Sequence, residues 1–575
     1  MSTIAQHLTD VVRTAAEAAG LADSPVPLEP CVPTNNPAHG DYQSNYAFRL
    51  AKAARQNPRA VAQQLVDALP ADPAIAEATV AGPGFVNFRL ANDWLASDLQ
   101  GRAGDERFLG ATPGAGKTVV IDYSSPNVAK RMHVGHLRST VIGGALHRLY
   151  GYLGWKVVAD NHIGDWGTQF GKLIVGWHGW RDEAAFEADP IGELQRIYQA
   201  FGERAEADEG LHDQARAETA KLQAGDPDNT ALWQRFIDVS MAEFDGVYDR
   251  LGIRFDVVHG ESFYNDALGP LVSELMDSGV AERSDGAVVV PFTNDDGKGL
   301  GKNPLLIQKS DGASLYGTTD LATIRHLAAT WSPDLALYVV DKRQQLHFRQ
   351  VFAAAKKMGA DQMRFVHVWF GTLLVDGAAM SSRKGSVINL VDLLDTAAAK
   401  SLDIVTEKNP DLPEAERKAI AEAMGVSTIK YFDLSQNPQS DIDFTWAKAL
   451  SLDGGSAAYL MYAHARLCSI LRKGEVSERP SAAPRLEHPT ERTLGLLAAR
   501  LPEAAEAAAD TFRPNLLADH LESMAGAVGP FWNACPVLSE EDASVREGRL
   551  ALVYAVQQSL HLGLTLLGLR PVERM

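Results

Sequence analysis

One run of fifteen residues, 124–138, constrains this chain more than any other: Ser-Ser-Pro-Asn-Val-Ala-Lys-Arg-Met-His-Val-Gly-His-Leu-Arg. An apolar, strand-like run at 118–123 precedes it. A helical run at 137–150 follows, with Leu137, Val141, Ala145 and Leu149 on one face. A strand, a short turn and a helix N-terminus make an anion site, because unpaired backbone N–H groups and the helix dipole point at it. His133 and His136 frame Gly135 at that spot, which suits a nucleoside triphosphate lying against backbone. A second strand at 156–159 leads into another polar turn beginning at Asn161. Strands alternating with helices predict an α/β fold with a doubly wound, Rossmann-like parallel sheet.

The charge distribution decides what such a site can face. Taken alone, the net charge of −19 opposes an anionic partner. Residues 181–300 alone carry −16, however, leaving −3 for the remainder, while 121–180 carry +3 and 341–400 carry +4. The acidity therefore belongs to one segment, largely helical and ending in a β-like piece at 287–292. It reads as an insertion between two halves of the sheet, although a solvated helical surface explains its charge equally well. Strand signals resume at 305–308 and 335–340. Three widely spaced cysteines (Cys31, Cys468, Cys535) make neither a disulfide framework nor a Cys-rich zinc site. The amphipathic N-terminus lacks the apolar core of a signal peptide, and no run of about 18 apolar residues exists. These features predict a cytoplasmic protein.

The expected organisation is a small α/β domain at 1–105, a catalytic domain at 115–390 containing the 181–300 insertion, a helical connecting region at 391–455 and an all-α domain at 456–575. In the first of these, Ile4, Leu8, Val11 and Ala15 suit one helix face, and Val86, Phe88 and Leu90 suit the covered face of a strand.

Two loops invite a phosphate reading. Residues 111–118 match a loose P-loop pattern, but they follow a Gly-rich linker and run straight into a strand, whereas a P-loop opens a helix. The other loop holds Met380, Ser381, Ser382, Arg383, Lys384 and Gly385, in which two hydroxyls and two cations suit a pyrophosphate gaining charge as it leaves.

Together, the His-x-Gly-His run and this loop resemble the two signatures of class I aminoacyl-tRNA synthetases. The wider text is similar to the arginyl-tRNA synthetase family: Ser-Ser-Pro-Asn127-Val-Ala-Lys130, Asn161-His-Ile-Gly-Asp-Trp-Gly-Thr-Gln-Phe-Gly171, Tyr316-Gly-Thr-Thr-Asp320-Leu-Ala322, Tyr462-Ala-His-Ala-Arg466 and the terminal Pro-Val-Glu-Arg-Met575. The resemblance runs nearly the whole length. It implies ligation of L-arginine to tRNA(Arg) through an arginyl-adenylate, with ATP supplied as its Mg2+ complex. It also implies no structural metal, no membrane partner and a monomer. The alternatives are another class I synthetase or a non-catalytic tRNA-binding paralogue.

The resemblance also implies roles. His133, Gly135, His136, Met380 and Arg383 would contact ATP, and Ser381, Ser382 and Lys384 would assist catalysis. Ala379 and Ser382 stand where the family's loop has lysines. Lys130, three residues before His133, would supply the missing charge. A guanidinium is a planar five-donor fork that wants carboxylates; Glu261 and Asp320 match positions that hold it, with Tyr316 adding a hydroxyl. For Glu261, exposure within an acid-rich stretch is the competing reading. Asp122, Ser124, Asn127 and Gln344 would hold the α-amino and α-carboxylate groups. Paired buried acids reject lysine and citrulline, because either leaves a polar partner unmet, so no editing domain is expected. On the tRNA, Asn87 and Phe88 would touch the elbow, and Tyr459, Tyr462 and Arg466 the anticodon. Phe88 also fits a strand's apolar face, and Tyr459 and Tyr462 also fit a helix core.

Overall fold

The computed structural model describes residues 2–21, 26–34, 36–375, 378–379, 389–451 and 453–575. The chain forms two compact units: a central one of residues 114–404 and 425–449, and a terminal one of residues 1–113, 405–424 and 450–575.

In the central unit, Thr118–Asp122, Lys156–Asp160, Leu335–Tyr338 and Arg364–His367 form a parallel sheet. Their interiors are rich in Val, Leu, Ile and Ala, as strands covered on both faces require. The spatial order is 364–367, 335–338, 118–122, 156–160. The first and third strands in the chain are therefore neighbours, and the crevice beyond their carboxyl ends is the switch point at which open α/β sheets bind ligands. At that end Tyr338 pairs in register with Asp122, and Asp122 with Asp160. The helix Val134–Tyr152 buries Leu137, Val141, Ala145 and Leu149, as its period predicts.

The 305–308 strand does not resume this sheet. Leu305–Gln308 pairs antiparallel with Ala287–Val290, which in turn pairs with Glu282–Ser284. The hairpin between the last two turns through Asp285 and Gly286, both with positive φ (50° and 81°), as a tight primed turn demands. A short apolar run cannot by itself declare its partner. The 181–300 segment supplies five α-helices, Glu183–Ala188, Pro190–Ala205, Gly210–Gln223, Pro227–Leu251 and Asn265–Asp277. Part of its acidity is structural: Asp182, Asp189 and Asp226 each cap a helix, accepting from the backbone N–H groups of Ala185, Gly192 and Asn229.

In the terminal unit, an antiparallel sheet of Val32–Pro33, Tyr42–Ser44, Phe85–Leu90 and Ile75–Ala81 is joined by helices including Ile4–Ala18 and Pro58–Asp67. Five helices between Ala457 and Leu566 complete the unit. Buried charge joins these parts. Arg492 donates to both oxygens of Asp41 (2.8 and 2.7 Å), and Glu503 accepts from the Ala5 N–H (2.8 Å) and the Tyr42 hydroxyl (2.9 Å). Among the described residues no helix is long and apolar enough to cross a membrane.

Candidate active site

The first signature is built as a helix cap. His133 is the N-cap of Val134–Tyr152, and its Nδ1 accepts the Gly135 N–H (3.0 Å). The Nδ1 of His136 accepts the His133 N–H (3.2 Å), so the two imidazoles form a reciprocal capping box. Their rings stack at 4.0 Å. A Cβ on Gly135 would lie 2.6 Å from His133 Cε1, so only glycine lets the ring fold back over the helix. Burial lowers both imidazoles' affinity for protons, helped by the Lys130 charge, and takes His136 down to about 3. Both rings are therefore neutral at physiological pH. With each Nδ1 accepting, the ring proton sits on Nε2 as a donor.

The turn ahead of the cap is strained. Ser124, Ser125 and Ala129 all have positive φ (76°, 50° and 62°) without being glycine. Ser124 is buried, its hydroxyl bonded to Tyr248 (2.8 Å) and Thr140 (2.9 Å). It holds the turn from inside rather than facing the crevice, whereas Ser125 donates to Asp122 (3.1 Å). Asn127 is exposed and bridges Gly164 at the next strand's loop; a Cβ on Gly164 would sit 2.4 Å from its Oδ1.

Arg138, 1% exposed, ties this helix to the segment leading to the second signature. Its guanidinium donates to Asp433 (2.9 and 3.4 Å) and to the Gly371 and Ser440 carbonyls (both 2.9 Å). Just beyond Gly371, Leu373–Val375 pairs with Ala378–Ala379. Met380, Ser381, Ser382, Arg383 and Lys384 lie outside the described residues. On their far side, Asn389 bridges His133 and the Leu390 N–H donates to the Met132 carbonyl (2.9 Å). Both described flanks of the second signature are thus tied to the first.

Acids gather at the carboxyl ends of the strands. Burial pushes Asp122, Asp160 and Glu261 up to about 7 each, with the Asp320 charge adding to the effect on Asp122 and Glu261. Asp122 is half-buried and accepts from the Ser125 hydroxyl. Asp320 is held by His347 Nε2 (2.5 Å). Among the described residues no Lys or Arg pairs with any of Asp122, Asp160, Glu261 or Asp320, and no three His, Cys, Asp or Glu side chains group as a metal site. Glu261 and Tyr316, the latter 73% exposed, share a cavity of about 630 Å³ with Lys172 and Tyr198. Lys130 and Lys172 both lie over the Tyr198 ring (5.0 and 5.7 Å), which links this cavity to the histidine pair. Gln344 is exposed, six residues past the end of the third strand. Sequence reading missed Asp160, Tyr198, Arg138 and Asp433, whose roles depend on neighbours remote in the chain.

In the terminal unit, Phe88 is wholly buried and Asn87 nearly so. The Phe88 ring belongs to the core and offers no face to a base. Tyr462 is 49% exposed, Tyr459 is half-buried, and Arg466 stacks 4.5 Å over Trp532.

Models of known families match this layout. Residues 104–446 match the catalytic domain of class I (R) tRNA synthetases, 460–575 a DALR anticodon binding domain, and 2–90 the arginyl tRNA synthetase N terminal domain. The chain belongs to the arginyl-tRNA synthetase family. An arginine–tRNA ligase of Fusobacterium nucleatum is 42% identical over 100% of both chains, and one of Alcanivorax borkumensis is 42% identical over 94% of each. The solved arginyl-tRNA synthetase of Thermus thermophilus aligns over 100% of both chains at TM-score 0.84 and 26% identity. As in other arginyl-tRNA synthetases, the class I fold here carries a helical C-terminal domain and an added N-terminal one.

Proposed function

We infer that this chain is a ligase joining L-arginine to tRNA(Arg), and that the residues gathered at the crevice carry the reaction. Full-length identity to arginine–tRNA ligases supports the activity. The observation that carries the site assignment is the group of half-buried acids that, among the described residues, has no Lys or Arg partner, set beside a neutral histidine pair on a helix N-terminus.

In the first step an arginine carboxylate oxygen attacks the α-phosphorus of ATP. The bond to the β-phosphate oxygen breaks, and pyrophosphate leaves. His133 and His136 donate from Nε2 to phosphate oxygens, and the cap geometry fixes the direction of that donation before substrate arrives. Neutral donors favour the charge that develops without adding a cation that would hold the ground state equally. Lys130, beside both rings, supplies the fixed positive charge that the lysine-poor second loop lacks. ATP enters as its magnesium complex. Asp320 and Glu261 present the fork for the guanidinium, Tyr316 closes over the cavity, and Asp122, Asn127 and Gln344 take the α-amino and α-carboxylate groups. In the second step a 3′-terminal ribose hydroxyl of the tRNA attacks the activated carbonyl and AMP leaves. Tyr462 and the Arg466–Trp532 stack offer ring faces and a cation to unstacked anticodon bases.

The deciding experiment is arginine-dependent ATP–pyrophosphate exchange, run with and without tRNA(Arg). Exchange with arginine, and none with cysteine or glutamate, supports the reading. Absence of exchange with arginine in the presence of tRNA refutes it.

A further inference from the structure

Asp160 ends its strand in register with Asp122, which is in register with Tyr338 on the opposite side. In parallel strands, residues in register send their side chains to the same face. Tyr338, Asp122 and Asp160 therefore form a row across the floor of the crevice. Asp160 is 1% exposed, and its Oδ1 has no hydrogen-bond partner. The buried Tyr338 hydroxyl also has none, and the Tyr264 hydroxyl lies beside Thr323 without reaching bonding geometry. From its own loop His162 and the Asn161 backbone face Asp160, as does the His259 backbone, and all three favour its ionised form against the larger effect of burial, while Asp320 bears on Asp122. An orphaned buried carboxylate oxygen is expensive to leave unmet. Two adjacent acids in such a floor cannot both ionise cheaply.

We propose that Asp160 is a positioning residue for arginine recognition: paired with Asp122, it keeps one proton in the empty pocket, and the incoming cationic amino acid takes that proton's place. Binding is then an exchange of one positive charge for another. The neutral point fits this use. Burial and the Asp122 charge push Asp160 up to about 7, and Asp122 moves to the same region, so the proton is held loosely enough at physiological pH to be displaced.

The inference rests on the arginine reading above, and the test separates the two. Arginine is titrated into the full-length protein by calorimetry between pH 6 and 8, in buffers of differing ionisation enthalpy, which counts protons released. The Michaelis constants for arginine and ATP are measured by pyrophosphate exchange with tRNA. The wild type releases a substantial fraction of one proton at pH 7, and its arginine KM rises as pH falls, approaching about tenfold per unit when one proton is displaced. The isosteric Asp160→Asn variant releases far less, has a flattened arginine KM profile and keeps the ATP KM. Arginine binding by the wild type without proton release overturns the proposal and needs no variant. So does an Asp160→Asn profile that keeps the wild-type slope. A wild type that exchanges no pyrophosphate with arginine refutes the activity itself.

Discussion

Replacing Gly135 with alanine separates positioning from stability. The new Cβ would lie 2.6 Å from His133 Cε1 and 2.7 Å from its Nδ1, so the ring must swing away. That breaks the 3.0 Å bond from the Gly135 N–H and with it the cap, costing about 1 kcal/mol. Alanine in place of glycine within a helix returns at most about 1 kcal/mol. Net stability should therefore change by less than about 1 kcal/mol, and the midpoint of thermal unfolding should barely move. Catalysis should not share that compensation. His133 and His136 stack at 4.0 Å, so displacing one ring moves the other's donor, and a misplacement of about 1 Å costs on the order of a hundredfold. Measured by pyrophosphate exchange, kcat/KM for ATP should fall about a hundredfold, equivalent to ~2.7 kcal/mol. A Gly135→Ala enzyme retaining more than about a tenth of wild-type kcat/KM would refute the capping-box account of this signature.

Three further outcomes are expected. Arg138→Met leaves Asp433 buried without its partner and should destabilise the central unit by about 3–5 kcal/mol in denaturant unfolding, and Arg138→Met combined with Asp433→Leu should recover most of that; a double variant as unstable as the single one contradicts the pairing. Lys130→Ala should slow pyrophosphate exchange at least about tenfold, ~1.4 kcal/mol, without lowering the melting temperature, because among the described residues Lys130 makes no ion pair and lies over the face of Tyr198; a smaller loss removes it as the substitute for a loop lysine. Citrulline should be activated at less than about a tenth of the arginine kcat/KM, and parity within tenfold would mean that Asp320 and Glu261 do not read the charge.

The local elements were legible because each is written in a short window. The period of Leu137, Val141, Ala145 and Leu149 defined a helix, and all four are buried. The Met-Ser-Ser-Arg-Lys loop was legible as composition alone. What the sequence concealed was partnership. Leu305–Gln308 has the composition of a buried strand whichever sheet it joins, and it joined the antiparallel one. Arg138 and Asp433 are 295 positions apart, and neither is distinctive in its own window. Ser124 and Ser125 differ only in which way a positive-φ turn points them: the Ser124 hydroxyl is buried against Tyr248, and the Ser125 hydroxyl donates to Asp122. The acid floor was half visible: Asp122 was found through its motif, while Asp160 became meaningful only once strand register set it alongside.

The bonds of Asp41 to Arg492 and of Ala5 to Glu503 bear on how this protein can be cut or recombined. The N-terminal ninety residues hold one half of each bond and the helical bundle holds the other. A bundle expressed alone would carry a cation and an enclosed carboxylate stripped of their mates. Modular swapping at this seam would succeed only if both halves came from the same parent, so the two regions should accumulate compensating changes together.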